Sequence, residues 1–159
     1  MRVFIVLAAF AFVSANLLKS AGLRRCISLA GGLLITDLTT NILNAVTSVL
    51  APEEGSDVKE SLNNSVTNLI DILKKNVAII TEAQINCTGR FIITRPICRA
   101  VAIGRTHFAL AKDVTFWGMS VIKGTAQTVI LAFRLSEAIV SSISVSMGTY
   151  AKTVAQCFI

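Results

Sequence analysis

DVKESLNNSVTNLIDILKKNVAII, residues 57–80, decides the fold class, because its apolar positions recur at the spacing of a helix face and at no other period. Val58, Leu62, Val66, Leu69, Leu73, Val77 and Ile80 form one stripe, three or four residues apart, while Lys59, Glu60, Asn63, Asn64, Asp71, Lys74 and Lys75 fill the opposite side. One side is to be buried and the other wetted. Asp57 and Glu60 have capping-box spacing, with Asp where Ser or Thr is usual, and such a pair satisfies the free amide groups of a helix start. The segment from Ala51 to Ser56, with Pro52, two acids and Gly55, is the clearest linker in the chain.

Upstream of that linker a second stripe follows Leu23, Ile27, Ala30, Leu34, Leu38, Ile42, Ala45 and Val49, again at helical spacing, and stops before Pro52. The Gly31-Gly32 pair inside it costs about 1 kcal/mol per glycine relative to alanine. It therefore predicts a kink or a close helix contact. Further upstream, Met1 to Ala15 combine Arg2, an apolar run from Val3 to Val13, and the small residues Ser14 and Ala15. That is the pattern of a cleaved secretory signal, and the expected division is a signal peptide at 1–15 and one helical domain at 16–159. Removing 15 of 159 residues leaves 144, enough for one hydrophobic core.

Downstream, the pattern breaks between Asn86 and Pro96. Gly89, an apolar Phe91-Ile92-Ile93 triplet read as a short extended piece, and Thr94-Arg95-Pro96 together mark the restart of a helix. After Pro96 there is no further proline, and one helix to Phe158 would reach about 90 Å at 1.5 Å per residue. A domain of this size cannot hold it straight. Gly124-Thr125 is the preferred break, with Gly104-Arg105-Thr106 as the second choice. Four helices result, near 17–50, 57–85, 95–123 and 125–158. Short connections favour antiparallel neighbours, so the expected fold is all-α, a compact disulfide-tied helical bundle.

Cys26, Cys87, Cys98 and Cys157 all follow the signal, and an even number in an exported chain reads as two disulfides. Three connectivities exist; the short interval favours Cys87 with Cys98 as a local clasp, leaving Cys26 with Cys157 to tie the first helix to the last. With no CxxC pair, zinc is not expected. Two sequons, at Asn63 and Asn86, fit passage through a eukaryotic secretory route, and Cys87 within the second makes bridge formation a competitor of glycan transfer.

The chain is 53% hydrophobic and only 15% charged, with mean hydropathy +0.70 and net charge +6. No wholly uncharged run of 18 residues follows the signal: the longest candidates, Leu38 to Pro52 and Ala138 to Ala151, are too short to span a bilayer. The reading is thus a water-borne or surface-bound protein with sparse ionic cover. Arg105, Lys112, Lys123, Arg134 and Lys152 fall within about 40° of one another at 100° per residue, with Glu137 at their edge. The rest of that circumference is largely apolar, and Phe108, Phe116, Trp117, Val121, Phe133 and Met147 are the candidate residues for an apolar ligand or an interface, set against the alternative that neighbouring helices cover them. The positive excess is all C-terminal, where residues 86–159 carry eight bases and two acids. Arg90, Arg95, Arg99 and Arg105 are candidates for an anionic head group or sulfated glycan, against the alternative of a solvated basic rim.

Catalytic patterns are missing. His107 is the sole histidine and has no partner visible in the sequence, Asp37 stands alone, and no GxSxG, HExxH, Walker-type loop or GxGxxG occurs. Neither an enzyme nor a cofactor is expected, and nucleic acid is a poor match for basic residues without interleaved aromatics. In outline, by size, expected bridges and helix count, the chain resembles small secreted helical proteins such as cytokines, lipid carriers and salivary or reproductive-tract secretions. The expected function is binding of hydrophobic or amphiphilic ligands or of membrane surfaces; the alternatives are a secreted interaction protein that self-associates and a membrane-active defence protein.

Overall fold

A computed structural model describes residues 2–50, 56–123 and 128–158, and side chains at 21–50, 60–123 and 129–158. It contains four helices, α1 (Arg2–Leu50), α2 (Ser56–Cys87), α3 (Arg95–Val121) and α4 (Thr128–Gln156), and no strand among the described residues. Each helix packs on its neighbours in sequence, and α1 closes the ring against α4. This is the up-and-down order that short connections dictate.

The α2 stripe is buried from Leu69 onward, with Leu62 and Val66 half-buried and the Val58 side chain outside the described residues. Leu69, Leu73, Val77 and Ile80 are inaccessible or nearly so, while Asn63, Asn64, Asp71, Lys74 and Lys75 face solvent. Along α1 the stripe continues through Ile27, Ala30, Leu34, Leu38 and Ile42, then passes to Val46 and Leu50 instead of the expected Ala45 and Val49. Both of those are only half-buried. Each step of four turns the buried line by about 40°, so from Leu34 to Leu50 the core-facing side of α1 drifts round the helix instead of keeping the seven-residue repeat. From α3 the core receives Leu110, Val114, Trp117 and Val121, and from α4 Leu131, Leu135, Ile139, Ile143, Met147, Tyr150 and Val154.

Two glycines permit close approach. A Cβ at Gly31 would lie 2.6 Å from the Thr81 hydroxyl on α2, whereas Gly32 faces open space. So the glycine pair marks a helix contact rather than a kink, and only its first member makes it. At Gly118 a Cβ would lie 2.8 Å from Ile139 Cδ1 and 3.1 Å from Leu135 Cδ2, which brings α3 against α4.

Both bridges form in the favoured pairing, Cys26 with Cys157 and Cys87 with Cys98, each with Cα atoms 5.8 Å apart. They lie at the same end of the bundle. The intervening segment corrects one expectation: Phe91-Ile92-Ile93 is not extended. It belongs to a tight turn, in which the Thr94 and Arg95 amides donate to the Phe91 carbonyl at 2.9 and 3.1 Å. Pro96 then occupies the first turn of α3, where its missing N–H leaves no bond unmade. A second correction is that α3 runs unbroken through Gly104-Arg105-Thr106. The preferred break at Gly124-Thr125 and the linker at 51–55 lie outside the described residues, as does the Asp57 side chain; the described ends of α3 and α4 flank that break.

The test for uncharged runs also proves too strict. Within α1, Ala21–Leu50, and within α4, Val129–Gln156, are long and apolar enough to cross a membrane, with mean hydropathies of 1.4 and 1.6 over an 18-residue stretch of each. Isolated charges such as Asp37 and Arg134 interrupt the runs without changing their average. Of those 18-residue stretches, only 33% and 28% of the residues are buried inside the bundle.

Candidate functional site

The cleft that best fits a small molecule lies on the outside of the α2–α3 pair, at the disulfide end. Its floor follows from two i, i+4 rows: Ile79, Ala83 and Cys87 on α2, and Ile97, Val101 and Arg105 on α3, with Cys98 and Ala102 beside them. The Cys87–Cys98 bond pins the two helices at the base of the cleft, and Phe91 and Thr94 of the turn wall its end. Its volume is about 700 Å³, within the roughly 300–1,000 Å³ usual for small-molecule sites. The exposed surface of the lining is mostly apolar, supplied by Ile79, Ala83, Phe91, Ile97 and Val101 with the Cys87–Cys98 bridge, and its two charged groups, Arg90 and Arg105, are both cations.

The four candidate arginines are therefore divided. Arg90 and Arg105 line the cleft and are exposed. Arg95 turns back on the chain, where its Nε donates to the Arg90 carbonyl at 2.8 Å. Arg99 points the other way, toward the bundle: its Nε donates to Gln84 Oε1 at 3.3 Å, the Gln84 amide returns a bond to the Arg99 carbonyl at 3.2 Å, and its guanidinium lies 3.9 Å from the Phe158 ring centroid. Burial lowers the Arg99 pKa from its ordinary value, with Tyr150 acting in the opposite direction. Arg95 and Arg99 share a helix face by spacing, yet their side chains leave it in different directions.

The candidate apolar residues also separate into two groups. Phe108, Phe116 and Phe133 are 75%, 64% and 74% exposed, whereas Trp117, Val121 and Met147 are core residues. Trp117 Nε1 donates to the Ser65 carbonyl at 2.9 Å, which satisfies the indole inside the α2–α3 contact. Sequence spacing could not separate adjacent Phe116 and Trp117, because almost the whole helix circumference is apolar. The most exposed apolar group was not among the candidates: Phe91, Ile92 and Ile93 are 87%, 78% and 85% accessible. Their signal in the sequence was the turn chemistry on either side, Gly89 and Pro96, which leaves a short apolar triplet without a partner.

His107 finds a partner in Ser144 of α4, with Nε2 and Oγ 3.1 Å apart. Asp37 accepts from the Asn41 amide at 3.2 Å, and the same amide reaches the Ser146 hydroxyl at 2.9 Å. Asp37 and Ser146 border a smaller cleft between α1 and α4, of about 380 Å³, lined by Leu33, Leu34, Thr149 and Tyr150 among others. Burial raises the Tyr150 pKa, and Thr81 and Arg99 draw it partly back. Its hydroxyl is nevertheless enclosed without a hydrogen-bond partner of normal geometry. Asn63 and Asn86 are both exposed, and Asn86 stands on the rim of the larger cleft. Set against protein-family models, curated proteins and solved structures, the chain matches none.

Proposed function

We propose that the protein is a secreted carrier of an amphiphilic molecule, whose apolar portion occupies the α2–α3 cleft and whose anionic group lies toward Arg90 and Arg105. The observation that carries this reading is the combination of that cleft's aliphatic lining with two cationic side chains and no acidic one. An aliphatic floor gains from burying a hydrocarbon tail in proportion to area. A guanidinium on the rim takes a carboxylate, sulfate or phosphate without removing it fully from water. Secretion is supported by the apolar start of α1 together with two disulfides, which persist in oxidising compartments. Glycosylation at exposed Asn63 belongs to the same reading.

The test is native mass spectrometry of protein secreted by a eukaryotic host, followed by titration of a fluorescent fatty acid. The expected result is a retained or readily bound amphiphile, with affinity reduced about tenfold or more by Arg90→Glu with Arg105→Glu. Absence of any bound molecule together with no fatty-acid binding overturns the reading.

A second reading has its own support in α1 and α4, each of spanning length and composition. In it the chain is a bilayer-held bundle. The outer face of α2 weighs against full immersion, since exposed Asp71, Lys74, Lys75 and Glu82 would meet lipid at a cost of several kcal/mol. Resistance of the chain to alkaline extraction from membranes, with residues 1–15 retained, selects this second reading over the first.

A further inference from the structure

The disulfide end of the bundle has a chemistry that the cleft alone does not explain. Three consecutive large apolar residues, Phe91, Ile92 and Ile93, stand at the tip of the α2–α3 turn there, beside the part of α1 that continues past Cys26, each more than three-quarters exposed, and the turn's own backbone bonds hold them there. The Cys87–Cys98 bond clasps the base of the same turn. An apolar group of this size has no reason to face water in an isolated bundle.

Charge is distributed to match. Arg90 and Arg95 flank the triplet, and Arg24 and Arg25 of α1, both exposed, lie next to Cys26 at the same end. Arg105 and Lys152 follow within about two helical turns of the bridges. All nine acids lie elsewhere: among the residues with described side chains, none occurs in 21–36, 83–112 or 138–158, the three stretches that reach this end. The nearest acids along the chain are Asp37 on α1 and Glu82 on α2. The end of the molecule therefore presents an apolar tip inside a cationic collar, with no carboxylate side chain within it.

We infer that this end docks on an anionic phospholipid bilayer, with Ile92 and Ile93 entering the leaflet and Arg24, Arg25, Arg90 and Arg95 meeting the head groups. Charge complementarity supplies the attraction at a distance, and insertion of the tip supplies the residence. A rigid turn enters at lower ordering cost than a flexible one, and the clasp provides that rigidity. The cleft opens beside the same tip, since Arg90, Phe91 and Thr94 belong to both. Docking thus places its mouth at the lipid–water boundary. This last step alone rests on the carrier reading; the docking itself does not.

The experiment uses the full chain as secreted, in co-sedimentation with phosphatidylcholine vesicles containing 0 or about 30% phosphatidylserine. Expected is binding to the anionic vesicles only, weakened as salt shortens the electrostatic range. Ile92→Ser with Ile93→Ser, neither of which lines the cleft, is expected to lower vesicle binding about tenfold or more while fluorescent fatty-acid binding in solution is kept. In a parallel variant, Ile93→Trp, the new indole shifts to shorter wavelength on vesicle addition and is quenched by brominated lipid, against the constant signal of buried Trp117. Equal binding to both vesicle types overturns the inference. So does anionic binding that survives the serine pair, or a new indole in the Ile93→Trp variant whose emission lipid leaves unmoved. Vesicle docking without fatty-acid binding leaves this inference standing and removes the carrier reading.

Discussion

The α1–α4 pair and the α2–α3 pair build the same antiparallel contact by different means. Between α1 and α4 the polar contacts are small and neutral, Asn41 to Ser146 and the Ser142 hydroxyl to the Asn41 carbonyl, and the bridge joins residues 131 apart. Between α2 and α3 two of them involve charge, Asn76 to Asp113 and Gln84 to Arg99, beside the neutral bond from Trp117 to the Ser65 carbonyl, and the bridge spans only 11 residues. The first pair is apolar on most sides and depends on a long-range covalent tie. The second carries a charged outer face on α2 and closes locally. One core unites them, which teaches that burial, not the chemistry of the outer faces, selects this arrangement.

Several substitutions break or sharpen the contrast. On the chain-entropy argument, Cys26→Ser with Cys157→Ser lowers stability by about 5 kcal/mol, and Cys87→Ser with Cys98→Ser by about 3 kcal/mol, read by denaturant unfolding of the two double variants. Equal losses would show that the two ties act alike. Next, Leu38→Ala in α1 and Leu73→Ala in α2, both with fully inaccessible side chains, are each expected to cost about 2–5 kcal/mol. Similar values support one shared core, and a large disparity would show two separately stable halves. Gly31→Ala and Gly118→Ala each force a methyl into a neighbouring helix, the first toward Thr81 Oγ1 and Val77 Cγ1 on α2 and the second toward Ile139 Cδ1 and Leu135 Cδ2 on α4, and each is expected to cost about 1–3 kcal/mol.

The smallest effect concerns the Tyr150 hydroxyl. With its folded pKa raised by burial, its contribution to stability is fully present below about pH 10 and is lost as pH rises through the raised value. The melting temperature is expected to fall in that alkaline range and to fall less in Tyr150→Phe. At neutral pH the same substitution removes an enclosed group without a partner and is expected to stabilise by about 1 kcal/mol.

Where one face of a helix was decisively wet, its sequence told which side would be buried. For α2 the polar residues from Glu60 to Lys75 leave a single orientation, and the structure adopts it, while Asn76 and Gln84 are buried to bond Asp113 and Arg99 of α3. The cysteine pairing was legible as well, because a short interval beside a turn leaves little freedom. The core side of α3 was not readable from composition, since Phe116 and Trp117 are both aromatic, adjacent and surrounded by other apolar residues. Packing geometry decides between them, through a carbonyl of Ser65 that accepts the indole N–H. Nor could the cleft be read, because it arises where two helix flanks meet above a bridge. Its i, i+4 rows become a cavity only once the helices are placed. The arginines were visible as a cluster but not as a divided one, since Arg99 is drawn inward by Gln84 and Phe158, which are distant in sequence.

The bond from Cys26 to Cys157 has a topological consequence for a molecule exposed to proteases. It turns most of the main chain into a closed circuit, and one scission anywhere inside a circuit opens it without dividing it. A nick between α1 and α2, or between α3 and α4, would leave every helix attached to the others through sulfur. Fragments would separate on a gel only after reduction, and the nicked form would keep its partners at the effective concentration of a single molecule.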